Sequence, residues 1–333
     1  FPTRRSSDLN FLLKRILQMI FVFILVSMFA FAIIYFAPGD PLYMYTSPGK
    51  SSFKMSEEQL DALREDLGLT GNVVHQYTSW AKKTLTGDWG ISLNNFLPVR
   101  PQIMERLPGT VGLMAASLML SVVLAIPMGL AAGTHKNKWI DNIISGFSYI
   151  GISIPSFWFA LLMIIVFSLH LDLLPSSGMR TTGVNSVADV IWHGIMPTIV
   201  LAVNNMAVFV RYMRSNTINQ LEEEYVLTAV SKGAAPNYIL KNHVLKNCLL
   251  PIITIVGMNF GTLVTGSFIV ESVFGWPGLG TLCMTAINNR DYPMIMGIIM
   301  LSCTILLIGN FLADILYGLA DPRIKQGKEA QHG

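Results

Sequence analysis

The chain has 333 residues, 52% hydrophobic and 13% charged, with a formal net charge of +3. Soluble domains carry about 25% charged residues, so this composition excludes an ordinary soluble globule. The small positive charge offers little to a nucleic-acid backbone. The three cysteines, Cys248, Cys283 and Cys303, are an odd number without metal-ligand spacing. They exclude a disulfide framework and read as small apolar side chains.

Residues 1–9 have no initiator Met and change character at Asn10. They read as a non-native leader and are set apart from the fold, so Arg4-Arg5 is not a twin-arginine signal. An apolar run from Phe11 to Ala37 follows and stops at Pro38-Gly39-Asp40-Pro41. About 20 apolar residues cross a bilayer, and five further runs meet that length: Gly109–Gly133, Asn142–His170, Met196–Met213, Leu249–Ile269 and Met294–Leu319. Backbone groups in lipid find no water, so these spans are helices. The alternating strands of a barrel do not occur. The fold class is therefore all-α, a polytopic membrane protein with about six transmembrane helices. Its parts are 1–9, the leader; 10–108, the first span plus an extramembrane region; 109–320, a core of five spans; and 321–333, a tail. Within 38–108, Ser56-Glu57-Glu58-Gln59 has the form of a helix-opening capping box.

Lys and Arg in the loops set the direction. One side holds Lys14, Arg15, Lys136, Lys138, Arg211, Arg214, Lys232, Lys241, Lys246, Arg323, Lys325 and Lys328. In short loops the other side holds only Arg180 and Arg290; its remaining basic residues lie in the long 38–108 region. Both termini and the segment 215–248 are thus expected in the cytosol, and 38–108 outside.

Segment 215–248 is polar and glycine-punctuated. Two short helices are predicted, at Leu221–Lys232 and Pro236–Asn247, with Gly233 in the turn and Pro236 at the first helical position. Tyr225, Val226, Ala229 and Val230 make one apolar strip at helical spacing. Such a strip fits a groove on a soluble partner or rests on the bilayer surface; spacing alone leaves both open. Three consecutive acids, Glu222 to Glu224, argue against a DNA-binding helix-turn-helix.

Catalytic constellations are missing. Gly49-Lys50-Ser51 lacks the first glycine of a phosphate-binding loop, because residue 44 is Met. Ser153 and His170 share one span, about 25 Å apart by helical rise, too far to form a nucleophile–base pair. The six histidines are scattered, with no metal-ligand spacing. No span carries an acid near its middle, so a proton relay has no support.

Polar residues inside spans usually face the bundle or a wet cavity. Asn204 and Asn205 in the fourth span and Asn259 in the fifth are the candidates for lining a pathway. The alternative is interhelical hydrogen bonding, worth about 0.6 kcal/mol on average. Asp314, in the last span, is expected to pair with Arg211 or Arg214. Gly129 with Gly133, and Gly257 with Gly261, are spaced for close helix packing. Pro127 and Pro155 are expected to kink the second and third spans. Glycine and proline in Gly275–Gly280 cannot continue a helix, which predicts an external turn or re-entrant gate at Glu271, Trp276, Pro277 and Gly278.

The sequence Tyr225-Val-Leu-Thr-Ala-Val-Ser-Lys-Gly233, followed by His243-Val-Leu-Lys-Asn-Cys-Leu-Leu-Pro251, resembles the cytosolic loop of binding-protein-dependent ABC importer permeases. It is closest to the dipeptide/oligopeptide/nickel branch. Further matching motifs are Ala37-Pro-Gly-Asp-Pro41, Gly87-Asp-Trp-Gly-Ile-Ser92, Glu105-Arg-Leu-Pro108, Glu271-Ser-Val-Phe-Gly-Trp-Pro-Gly-Leu-Gly280, Arg290-Asp-Tyr-Pro293 and Asp321-Pro-Arg-Ile324. Together they cover about residues 10–325. Leu227-Thr228-Ala229 stands where the family has Glu-Ala-Ala, Ala229-Val-Ser-Lys-Gly233 where Ala-Arg-Ala-Lys-Gly is common, and Trp89 where Leu is usual.

The resemblance implies a type I permease subunit in a bacterial plasma (inner) membrane. Segment 215–248 would hold the coupling helix, meeting an ATPase subunit through Tyr225, Thr228, Ala229, Gly233 and Pro251. The implied partners are a second permease, two ATP-binding subunits and an extracytoplasmic solute-binding protein. No cofactor or metal would sit in this chain; ATP and Mg would be bound by the partner subunits. The implied cargo is a dipeptide or oligopeptide, with nickel, a metallophore complex, a glutathione-like peptide or an opine as alternatives. A stand-alone secondary transporter is the rival from another class. It predicts inverted repeats and midplane ion sites, and neither is visible.

Overall fold

The structure is a computed structural model that describes residues 3–37, 56–66, 70–249, 252, 255–256 and 267–320. Its helices are α1 (Thr3–Phe36), α2 (Glu57–Asp66), α3 (Val73–Leu85), α4 (Val99–Thr134), α5 (Trp139–Ser153), α6 (Ser156–Met163), α7 (Val187–Leu221), α8 (Glu224–Ser231), α9 (Pro236–Ile239), α10 (Phe268–Val273), α11 (Leu279–Asn288) and α12 (Tyr292–Ala320). Wider π-helical turns extend α6 over Ile164–His170 and α9 over Leu240–Val244.

Among the described residues four helices are long and apolar enough to cross a membrane, α1, α4, α7 and α12, and the α5–α6 pair makes up to one more. The span expected at Leu249–Ile269 lies mostly outside the described residues, as do Gly257, Gly261 and the Gly49-Lys50-Ser51 tripeptide. Helix α1 already begins at Thr3, within the stretch read as a leader. Helix α4 starts ten residues before the expected span, because Arg100, Glu105 and Arg106 interrupt hydropathy but not helicity. Pro155 does more than kink the third span. The chain bends by 103° between α5 and α6, since residue 154, ahead of the proline, is driven to an extended backbone. Pro127 lies inside the continuous helix α4.

Local chemistry explains several helix starts. Ser56 N–H donates to Gln59 Oε1 at 2.9 Å, and Gln59 N–H donates back to Ser56 Oγ at 3.3 Å. This is the reciprocal capping box expected for α2. Asn72 caps α3 through His75 N–H, and Ser186 caps α7 through Ala188 N–H. Pro236 opens α9.

The chain forms two compact units, 1–108 with 281–307, and 109–280 with 308–333. In the first unit α3 lies against α1. The Phe31 ring meets Tyr77 at 5.5 Å and Trp80 at 5.9 Å, and the Ser27 and Tyr77 hydroxyls are 2.9 Å apart. Buried Asp291 caps α12, accepting from Met294 N–H at 3.3 Å. The same carboxylate fastens the segment before α4, accepting from Leu93 N–H at 3.1 Å and from the Ser92 hydroxyl. Gly297 lets α12 close on α4: a Cβ there would lie 2.8 Å from Ile103 Cδ1 and 2.9 Å from Val99 Cγ1.

In the second unit α4 packs on α7 through the two expected small residues. A Cβ at Gly133 would sit 2.5 Å from Thr217 Cβ and 3.0 Å from the Arg214 carbonyl oxygen. A Cβ at Gly129 would sit 2.8 Å from both Met213 Cγ and the Val210 carbonyl oxygen. Higher on the same contact, the Ser121 hydroxyl donates to the Ala202 carbonyl at 2.9 Å. The core between these helices is Leu113, Met114, Leu118, Phe209 and Val210, closed by Phe274 and Trp276. We predict that Gly133→Leu lowers the thermal unfolding midpoint of the detergent-extracted protein far more than Gly112→Leu. A Cβ at Gly112 meets nothing within 4 Å, whereas overpacking at Gly133 costs about 1–3 kcal/mol. Equal midpoints would refute the contact.

Candidate functional site

Three sets of residues stand out, and all lie in the second unit. The first is the segment after α7. Helix α8 is short, and a second small core anchors it. Val226 packs with Met213, Ile239, Val244, Cys248 and Ile252, with Tyr225, Ala229, Ile126 and Leu130 alongside. The Tyr225 hydroxyl donates to Gln220 Oε1 at 2.7 Å, and its ring lies 6.3 Å from His243. Tyr225, Val226 and Ala229 of the apolar strip are thus turned into this chain's own core. The outward face is Leu227, Thr228, Val230 and Ser231, with Leu227 61% and Val230 57% exposed. Three of the four strip residues thus form the anchoring face, and the fourth, Val230, lies on the outward one.

Gly233 ends α8 with φ +77°. Gly233 N–H donates to the Val230 carbonyl at 2.9 Å, and Ala234 N–H to the Ala229 carbonyl at 3.1 Å. A left-handed residue just past a helix end is the ordinary use of glycine. A Cβ at Gly233 meets nothing within 4 Å, so the backbone conformation alone selects glycine here. Pro251 lies outside the described residues.

Electrostatics tie this region to α5. Buried Asp141 accepts from Arg214 Nε at 2.5 Å and from Arg214 Nη2 at 2.7 Å, a two-pronged pair. Asn137 N–H and the Ser145 hydroxyl complete the carboxylate at 2.9 and 3.1 Å. Lys136 and Glu222 form an exposed pair at 3.2 Å. Arg211 lies over the Tyr149 ring, 5.3 Å from its centroid. The partner of Arg214 is therefore Asp141, with the side chain of Asp314 outside the described residues.

The second set is the polar pair in the middle of α7. Asn205 is half-buried, and its amide donates to the Leu201 carbonyl at 3.2 Å. Asn204 is exposed, on a helix whose apolar window is otherwise 56% buried. Asn259 lies outside the described residues.

The third set is the turn after α10. Glu271 is fully buried and acts as its hub. Its Oε1 accepts from the Ser267 hydroxyl at 2.8 Å, and its Oε2 from Gly280 N–H at 2.7 Å. Thr110 hydrogen-bonds the same carboxyl and accepts from Leu279 N–H at 2.8 Å. Burial pushes the Glu271 carboxyl above its ordinary range, against the hydrogen bonds from Ser267, Gly280 and Thr110. The Trp276 indole donates to the Gly109 carbonyl at 3.0 Å, and its ring edge rests on Gly194. Gly278 has to be glycine, because a Cβ there would lie 2.5 Å from Thr110 Oγ1 and 2.7 Å from Glu271 Cδ. Half-buried Pro277 sits between them. The turn is thus stitched back onto the start of the 109–134 part of α4. The loop before α7 is fastened to it, with Gly178 N–H donating to the Phe274 carbonyl at 2.8 Å. His193 meets the Ser177 and Gly178 carbonyls at 3.2 Å, and Asp189 accepts from Thr181 N–H at 2.7 Å.

Sequence reasoning did not single out Thr110, Ser267, Asp141, Asp189 or His193. Thr110 and Asp141 gain their importance from partners distant in the chain, Ser267, Asp189 and His193 from partners within 4 to 16 residues, and only the buried acids carried a signal: a carboxylate in an apolar setting needs donors.

Comparisons with known proteins agree with this geometry. The model of the family described as binding-protein-dependent transport system inner membrane component matches residues 125–326. The model of its N-terminal part matches residues 8–114. The oligopeptide transport system permease protein AppB of Bacillus subtilis is 38% identical over 317 residues, covering 95% of this chain and 99% of that protein. The dipeptide transport system permease protein DppB of Escherichia coli is 32% identical over 342 residues, covering 96% and 100%. Among solved structures, the MetNI methionine ABC transporter in an inward-facing conformation aligns with a TM-score of 0.53 at 17% identity. That alignment covers 66% of this chain and 96% of that one, a likeness of fold.

Proposed function

Because the chain belongs to the family of binding-protein-dependent transport system inner membrane components, we propose that it is the permease subunit of an ATP-driven importer of dipeptides or oligopeptides. It is a multi-pass inner-membrane protein and a transport subunit. The partners in this reading are a second permease, two ATP-binding subunits and an extracytoplasmic solute-binding protein. ATP and Mg are bound on the ATP-binding subunits. In this reading both termini lie in the cytoplasm, which the distribution of Lys and Arg in the short loops supports.

The observation that carries the reading is α8. A short helix, locked by Val226 to the cytosolic ends of α4 and α7, presents Leu227, Thr228 and Val230 outward. A rigid element of this kind passes the closure of an attached ATPase to the spans as a rigid-body movement. In this reading the spans of two permeases rock about the pathway between them. Exposed Asn204 in mid-span fits that interface, because a polar amide facing acyl chains is disfavoured.

Two expected results test this reading. Gly233→Leu inserts and extracts normally, yet loses peptide uptake, since a left-handed backbone costs a branched side chain about 1–2 kcal/mol and α8 reorients. Normal uptake by that variant would overturn the coupling role. In the assembled complex, Asn204→Cys reacts with a membrane-impermeant maleimide, while Phe147→Cys, on an apolar exposed face, does not. The three native cysteines are buried and give a low background. An unreactive Asn204→Cys would remove this residue from the pathway.

A further inference from the structure

Helix α3 is tied to α1 at a depth that places it inside the membrane boundary. The described candidate span in α1 runs from Leu13 to Phe36, 24 residues, with Lys14 and Arg15 in its first turn, which is about 36 Å of helix against a hydrocarbon layer of about 30 Å. Centring the span leaves about 3 Å of overhang at each end. Phe31, which meets both Tyr77 and Trp80, lies about 7.5 Å before Phe36 along the axis. Ser27, bonded to the Tyr77 hydroxyl, lies about 13.5 Å before it. Both contacts therefore fall on the hydrocarbon side of the boundary, by about 4 and 10 Å. Tilting α1 to fit the layer places them no shallower.

The pattern of α3 agrees. Its inward face is Gln76, Tyr77, Trp80 and Thr84. Beside that face, still on the apolar half of the helix, Val74 is 64% and Leu85 83% exposed. The opposite half carries His75, Thr78, Lys82 and Lys83. Tyr and Trp at the headgroup level, with lysines on the polar side, are the residues of a helix lying in the interface. An apolar face set about 5–10 Å below the headgroup boundary is the usual depth of such helices.

We propose that α3 is an interfacial helix immersed in the leaflet at the Phe36 end of α1. Val74 and Leu85 meet acyl chains, and Lys82 and Lys83 meet lipid phosphates. On the orientation given above this is the outer leaflet. The region between the first two spans is then not wholly an aqueous subdomain. It is pinned to the bilayer beside the first span, and Tyr77 adds a second partner to the Ser27 hydroxyl, which already donates to the Ile24 carbonyl at 2.7 Å.

The test is collision depth by electron paramagnetic resonance on the assembled complex in phospholipid nanodiscs. Single nitroxides replace the exposed residues in Val74→Cys, Leu85→Cys, Thr78→Cys and Lys82→Cys. The expected result is an oxygen-to-nickel-chelate collision ratio several-fold higher at 74 and 85 than at 78 and 82. A ratio as low at 74 and 85 as at 82 would show the helix in water and overturn the proposal. Shielding of 74 and 85 from both quenchers would show a protein partner covering the face and would overturn it as well. The measurement requires no transport, so it stands or falls separately from the cargo reading.

Discussion

Arg214→Ala should destabilise the protein more than any other single change in the region joining α5, α7 and α8. The pair with Asp141 is bidentate, and Asp141 is 2% exposed. Removing the guanidinium leaves a buried carboxylate with only the Asn137 N–H and the Ser145 hydroxyl. Breaking such a pair from one side costs about 3–5 kcal/mol. Replacing both members costs less, because no charge is stranded. The expected order of thermal midpoints for the extracted protein is wild type, then the double variant Asp141→Asn/Arg214→Gln, then Arg214→Ala. Arg214→Lys should fall between wild type and Ala, since an ammonium cannot reproduce the two-pronged geometry. A midpoint for Arg214→Ala equal to wild type would refute the pair. Uptake should follow the same order, because Arg214 lies near the end of α7 and joins it to α5 just before the chain enters α8.

Glu271→Ala should be comparably severe, while Glu271→Gln should cost little in acid and become the more stable form as pH rises. Alanine removes the acceptor for Gly280 N–H, Ser267 and Thr110 at once. Stranded buried donors cost about 1–3 kcal/mol each when no water reaches them. Glutamine keeps a carbonyl for Gly280 and Thr110, and its amide can donate to the Ser267 oxygen. The sign of the pH effect follows from the raised carboxyl. Burial makes the folded state hold the proton more tightly than the unfolded chain does, so this group's stabilising contribution is complete at low pH. It is lost as pH rises from the ordinary carboxylate range through the raised folded value. Wild type should therefore match Glu271→Gln in acid and fall behind it as pH rises. A gap that stays constant from acid to neutral pH would mean that Glu271 does not titrate with folding.

The parts of this fold that were legible in the sequence are the ones that short windows encode. The capping box at Ser56 and Gln59, the turn at Gly233 and the start at Pro236 each depend on residues within about one helical turn. The proline break at Pro155 was legible in kind, but its 103° size was not. The small faces at Gly129 and Gly133 announced a close helix contact without naming α7 as its partner. On α8 the apolar spacing of Tyr225, Val226 and Ala229 is legible as a strip. Which side it faced depended on where α4, α7 and the turns after α9 pass, and no helical period contains that information.

Composition, apolar runs and motifs were enough to make the chain a bundle of membrane helices of a recognisable permease type. They were enough because the partition of an apolar run into lipid and the capping of a helix are local free energies. The packed fold is what assigns Arg214 to Asp141, 73 residues away, and makes Glu271 the hub of a turn closed onto Thr110. It also decided that Asn204 rather than Asn205 faces outward, and that α3 lies against Ser27 and Phe31 of the first span. A buried charge or polar group must find a partner, but which partner is set by the path of the whole chain.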